Sequence, residues 1–185
     1  MYNKGKSLTK LVDNYVLVDI ETTGLSPIED DIIEIGAIKV EKDKIIDKYN
    51  SLIQINRKLT PFITNLTGIT DEMLKGGRPI DIVLQEFLKF LGNQVIIGHN
   101  VNFDIAFINE KCKKYLQTYL TNDYIDTMQI AKKAVPDSTN YKLGTLAKRF
   151  HVDYSNAHRG LEDVEITYQV YNQLKFILNP QISLF

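Results

Sequence analysis

The chain has 185 residues, 44% hydrophobic and 24% charged, which predicts one soluble globular domain with a core of its own. Its single cysteine, Cys112, excludes an internal disulfide and fits a reducing, cytoplasmic compartment. No apolar run reaches membrane-spanning length, and Lys4, Lys6 and Lys10 precede no hydrophobic segment of the kind a secretory signal needs.

Residues 1–14 read as an N-terminal extension. Tyr15-Val16-Leu17-Val18 is a continuous apolar run and predicts a strand buried on both faces. Side chains alternate along a strand, so Asp19 and Glu21 point to one side at its end, just before Thr22-Thr23-Gly24 turns the chain. Gly24 suits a tight turn or the close approach of a ligand. Asp31 to Val40 and Lys44 to Ile55 read as two long strands joined by a polar hairpin, Glu41-Lys42-Asp43, with Ile33, Ile35 and Ala37 alternating with Glu34 and Gly36. Thr60-Pro61 starts a short helix and Thr70-Asp71 caps another. Pro79 to Leu91 has the spacing of an amphipathic helix.

Gln94 to Ile97 reads as a short buried strand ended by Gly98-His99-Asn100. A helix begins near Asn102, with Asp104 in its first turn and Phe103 and Phe107 four apart on one face. Phe107 is a core residue on this reading. His99 and Asn100 either scaffold the turn or touch a substrate. Further helices run near Thr127–Ala134 and Leu143–Phe150. The loop Asp153-Tyr154-Ser155-Asn156 leads to a long helix through about Phe176, with His158 at or just before its start and Asp163 on it. That helix stops before Asn179-Pro180, since proline disfavours helix at the residue before it. Three strands in a meander, then strands alternating with helices, imply an α/β fold: a mixed central sheet flanked by helices.

The acids and one histidine carry the chemistry. Phosphodiester hydrolysis needs no nucleophilic side chain; it needs cations that generate hydroxide and stabilise charge on the attacking and leaving oxygens. Hard divalent cations take oxygen ligands, and carboxylates supply both the oxygens and the compensating charge. Such groups occur in Asp19-Ile20-Glu21-Thr22-Thr23-Gly24, in Gly98-His99-Asn100-Val101-Asn102-Phe103-Asp104, in Asp126-Thr127 and in His158-Arg159-Gly160-Leu161-Glu162-Asp163. Histidine titrates nearest neutrality, so His158 is suited to take a proton from water. His151 reads as a surface or structural histidine.

In this order and spacing the motifs resemble the DEDDh group of 3′→5′ exonucleases, in particular the epsilon proofreading subunit of bacterial replicative DNA polymerase and its stand-alone relatives. Asp19 and Glu21 match the first motif, Asp104 the second, and His158 with Asp163 the third. Leu66-Thr67-Gly68-Ile69-Thr70 resembles the family's substrate-side loop. Gly160 and Val164 depart from it, standing where the family often carries alanine, which bears on local rigidity.

The resemblance implies an RNase H-like fold with the exonuclease domain at 15–178. It implies release of nucleoside 5′-monophosphates from single-stranded or frayed DNA 3′ ends, in proofreading or repair. Asp19, Glu21, Asp104 and Asp163 would hold two divalent cations, Mg²⁺ or Mn²⁺, with Asp19 shared and His158 as general base. Thr22, Thr23 and Gly24 would position the terminal nucleotide, Leu25 would wedge against its base, and Phe103 would offer a stacking face.

The net charge of −1 does not favour tight duplex binding. Two divalent cations would bring it to −1 + 4 = +3. Lys132-Lys133, Lys142 and Lys148-Arg149 are either solvated helix surface or a grip on a few nucleotides. The tail, 179–185, ends in Gln181-Ile182-Ser183-Leu184-Phe185, which resembles the pentapeptide by which bacterial polymerases and repair proteins bind the sliding clamp. Gln181, Leu184 and Phe185 would make the contacts; the alternative is that the two apolar residues fold back on this chain's own core. Rival functions are an RNA 3′→5′ exonuclease, since the same fold and motifs serve RNA, and a non-catalytic nucleic-acid-binding subunit. The complete set of acids plus histidine argues against the latter.

Overall fold

One mixed sheet in the order β3-β2-β1-β4-β5 organises the chain. β1 (Tyr15–Thr22), β2 (Ile32–Glu41) and β3 (Lys44–Leu52) form an antiparallel meander. β4 (Val95–Gly98) and β5 (Tyr124–Asp126) add in parallel beyond β1. The computed structural model describes residues 5–155 and 159–180.

The expected elements form with local differences. β1 runs on to Thr22, because β2 pairs with it all the way, Asp19 opposite Gly36 and Glu21 opposite Glu34. The hairpin turn is Lys42-Asp43 alone, with φ of 49° and 60°, the geometry of a two-residue primed turn that matches strand twist. β3 stops at Leu52 because Ile53 bridges to Arg78. The helices are α1 (Pro61–Thr67), α2 (Asp71–Lys75), α3 (Ile80–Leu91), α4 (Asn102–Leu116), α5 (Thr127–Ala134), α6 (Leu143–Arg149) and α7 (Gly160–Leu178). Thr60 and Thr70 accept from the amides of Ile63 and Met73 as caps.

Alternation along β1 sorts the core into two layers. Val16, Val18 and Ile20 pack with α3 and α4 around Phe87 and Phe107. Tyr15 and Leu17 pack with α5, α6 and α7 around Ile130, Leu146 and Tyr171. A third cluster places Ile33 with Ile63, Ile69 and Leu74. Residues of the N-terminal extension border β5, where the Tyr124 amide donates to Lys6 O at 2.9 Å and the Leu8 amide to Tyr124 O at 2.7 Å. Near the C-terminal end of α7 the buried Lys175 ammonium donates to Val12 O at 3.0 Å, to Asp13 at 2.8 Å and to Asp43 at 2.5 Å, tying that end to the hairpin turn. The buried ammonium is thus paired with two carboxylates and a carbonyl, as its burial requires. Among the described residues no helix is long and apolar enough to cross a membrane.

Candidate active site

The same alternation builds the site. Asp19 and Glu21 continue the row of Tyr15 and Leu17, so they face α7. From α7, Asp163 projects into the same space, and one carboxylate oxygen each from Asp19, Glu21 and Asp163 lie within 4.8 Å of one another. Asp104 arrives from the other layer. β4 ends at Gly98, having paired β1 only as far as Leu17, so the edge of β1 beyond it is open. The buried Asp104 carboxylate accepts the Ile20 amide there at 3.1 Å. Three of these four acids converge directly, and the fourth grips the strand between the first two.

Such crowding is costly without a cation. Burial raises the Asp19 carboxyl well above the usual range, and the charges of Asp104, Asp163, Glu21 and Glu34 add to it. Burial, then Asp163 and Glu34, push Glu21 up to about 8 against the pull of Arg159. Burial also carries Asp104 to about 8, opposed by backbone amides that include Ile20. An all-oxygen set of like charges, partly buried and converging from two elements, fits a hard divalent cation.

These shifts set a pH dependence. Glu21 rises from 4.5 to about 8 and Asp104 from 3.8 to about 8 on folding. Each therefore binds a proton in the folded state that it lacks unfolded across that window, and stability falls as pH rises through it. In EDTA the melting temperature should be lower at about pH 8.5 than at about pH 6, and added Mg²⁺ should raise it more at the higher pH. Calorimetric melts at both pH values check this; a metal-free melting temperature that climbs with pH contradicts it.

The turn after β1 is cross-braced. The Thr22 hydroxyl donates to Gly24 O at 2.6 Å. The Asp30 carboxylate accepts the Ser26 amide at 2.9 Å and lies so close to Gly24 that an added Cβ would meet Oδ2 at 2.3 Å. The close approach at Gly24 is thus to the chain's own Asp30. Arg57 donates to the Thr23 hydroxyl, to Asp30 at 3.1 Å and to Glu29 O at 3.2 Å, and pairs with Asp31 at 3.0 Å. The buried Lys111 holds Pro27 O at 3.1 Å and Asp30 O. This frame leaves Leu25 83% exposed at the rim. Phe103 is half-buried, its ring 4.8 Å from that of Phe107. Phe62 and Leu66 stand exposed on α1, and Gly68 closes that helix at φ 70°.

His99 and Asn100 make contacts that brace the turn after β4. His99 Nδ1 lies 2.9 Å from the Thr127 hydroxyl. The Asn100 amide donates at 3.1 Å to Asp126, which also caps α5 through Met128 N at 2.9 Å. Phe107 is core, and burial pushes the Cys112 thiol up to about 12. Arg149 of the basic clusters is paired with Asp137. His158 lies outside the described residues, as do Gln181, Leu184 and Phe185.

Sequence reasoning missed Asp30, Arg57 and Lys111, and also Glu34 and Arg159, which join at 2.8 and 3.1 Å beside the acids. It missed Tyr154, whose ring lies against Gly144 and whose hydroxyl is raised by burial and by Asp163 and Asp19. The available signal for Glu34 was an acid in an otherwise apolar strand, two residues before Gly36. Gly160 sits over that glycine: a Cβ on Gly160 would come 3.0 Å from Gly36 N.

A mixed sheet with acids gathered where β1 outruns β4, closed by an acid from the last helix, has the architecture of the RNase H-like fold. The sequence profile of the exonuclease family matches residues 16–171, and the chain belongs to that family. It is 41% identical over 167 residues to the PolC-type DNA polymerase III of Caldanaerobacter subterraneus subsp. tengcongensis, covering 90% of this chain and 12% of the relative. It is 38% identical over 156 residues to the PolC-type polymerase of Bacillus subtilis, covering 84% of this chain and 11% of the relative. The chain therefore spans about a tenth of those relatives' length. Among solved structures, E. coli exonuclease I in complex with a dA16 oligonucleotide superposes with a TM-score of 0.77 at 19% identity, over 92% of this chain and 42% of that one. Exonuclease X in complex with 5′-overhanging duplex DNA superposes with a TM-score of 0.69 at 24% identity, over 90% of this chain and 92% of that one.

Proposed function

We propose that this exonuclease is a metal-dependent 3′→5′ enzyme that releases nucleoside 5′-monophosphates from DNA 3′ ends. The convergence of Asp19, Glu21 and Asp163, with Asp104 beside them, carries the reading. On this reading Asp19, Glu21, Asp104 and Asp163 would hold two Mg²⁺ or Mn²⁺ ions. When bound, the ions supply Lewis-acid activation of water and charge stabilisation at the phosphorus. His158 takes the proton of the attacking water. The braced turn of Thr22, Thr23 and Gly24 seats the terminal nucleotide, Leu25 presses on its base, and Phe103 stacks. The polarity follows from the resemblance to DEDDh enzymes.

Two observations support DNA over RNA. The chain is similar to a segment of PolC-type DNA polymerases, and the exonuclease I and exonuclease X superpositions are with DNA complexes. We place the enzyme in the cytoplasm, in proofreading or repair beside a DNA polymerase. Matched end-labelled DNA and RNA oligonucleotides, incubated with Mg²⁺ and with EDTA, test the proposal. Stepwise shortening of DNA from the 3′ end, with Mg²⁺ only, is expected. Preferential loss of RNA would move the enzyme to RNA trimming, and cleavage in EDTA would end the metal reading.

The tail reading adds a sliding clamp as partner, through Gln181, Leu184 and Phe185. Deleting residues 181–185 should abolish clamp binding in a pull-down and leave hydrolysis of a short single strand unchanged. Clamp binding by the truncated protein would refute it. Tethering at a clamp would raise the effective concentration of enzyme near 3′ ends.

A further inference from the structure

Glu34 is a fully buried carboxylate on the face of β2 that looks toward α7, opposite Glu21 in the strand register. Its oxygens are occupied. They accept from Arg159 Nε at 3.1 Å and Nη2 at 2.8 Å, from the Gly160 amide at 3.0 Å and from Asn50 Nδ2 at 3.2 Å. Burial alone would raise this carboxyl, but the guanidinium and the amide hold it below its usual range. Glu34 is therefore a charged neighbour of the acid cluster whose lone pairs serve the start of α7.

That start needs an outside partner. Arg159 occupies the cap position of α7, and no side-chain cap bond forms there. The Gly160 amide is one of the orphan donors every helix start leaves, and Glu34 satisfies it from the facing strand with a charge that suits the helix dipole. Two residues along β2, Gly36 lets the helix settle: a Cβ there would meet Gly160 C at 2.2 Å. The Asp163 amide donates to Arg159 O at 2.9 Å, so the gripped residues form the turn from which Asp163 projects.

We propose that Glu34 and Arg159 act together as positioning residues for Asp163, holding it in register with Asp19 and Glu21 for cation binding. The bidentate fork fixes both the angle and the depth of the first turn of α7, as a planar guanidinium–carboxylate pair can and a point charge cannot. The inference rests on the reading that the acids hold divalent cations.

The test is Mn²⁺ titration of the full chain by calorimetry, at a temperature where circular dichroism shows each variant folded. Glu34→Gln and Arg159→Ala should each weaken Mn²⁺ binding about 10–100-fold, the usual cost of losing a group that orients a metal ligand. The double variant should be no worse than the weaker single, since the two act as one unit. Simple electrostatics predicts the opposite sign for one of them: removing the Arg159 cation would tighten cation binding. Arg159→Ala binding Mn²⁺ as tightly as the parent or tighter overturns the proposal, as do losses that multiply in the double variant. Should Glu34→Gln not fold, Arg159→Ala carries the test alone, since that side chain is 30% exposed. Asp19→Ala serves as the reference. A parent without an isotherm refutes the cation reading itself, whereas a parent isotherm lost in Asp19→Ala but kept in Arg159→Ala refutes only the positioning role.

Discussion

Asp19→Ala should take cleavage of a single-stranded DNA oligonucleotide to background, a loss of about 10³-fold or more if it removes several kcal/mol of charge stabilisation at the phosphorus. Asp163→Asn should be nearly as severe. The expectation comes from the position of Asp19 at the centre of the cluster, where it feels Asp104, Asp163, Glu21 and Glu34 together. A companion measurement separates a functional acid from a structural one. Removing Asp19 relieves repulsion among buried carboxylates, so in EDTA at alkaline pH the variant should melt no lower than the parent. Near-parental cleavage with Mg²⁺ would exclude Asp19 from the chemistry, and a collapse in metal-free stability would assign it to the fold.

His158→Ala should cost about 10²–10⁴-fold in rate, the range general base catalysis contributes. Its motivation is the spacing of His158 and Asp163 ahead of and within α7. Mn²⁺ affinity should be retained, because the acids remain. The deficit should shrink as pH rises, since hydroxide then forms without help from a base. A pH–rate profile that keeps its shape after the substitution would place His158 outside proton transfer.

Much of the fold was legible because it is written in local chemistry. The apolar run Tyr15–Val18 and the alternation beyond it located β1 and put Asp19 and Glu21 on one side. Thr60, Pro61 and Thr70 marked the starts of α1 and α2, and Asn179-Pro180 marked the end of α7 at Leu178. Where local signals were ambiguous, tertiary pairing decided. β1 extends to Thr22 because β2 offers it a backbone partner, whatever the polarity of its side chains. Lys42 and Asp43 turn the hairpin without Glu41 because strand twist selects the shorter loop.

By itself, then, the sequence determined which acids are candidates for the proposed chemistry and which side of a strand two of them share, because strand period and turn composition are properties of neighbouring residues. Only the tertiary structure decided that Asp163 meets Asp19 and Glu21 within 4.8 Å. It alone decided that Asp104 reaches the amide of Ile20, 84 positions away, and that Glu34 grips Arg159, 125 positions away. It also gave Gly24 its reason, the Asp30 carboxylate lying against it. Contacts of that span are set by how helices pack on a twisted sheet, and a carboxylate reads the same in the sequence whether it will bind a cation, cap a helix or brace a turn.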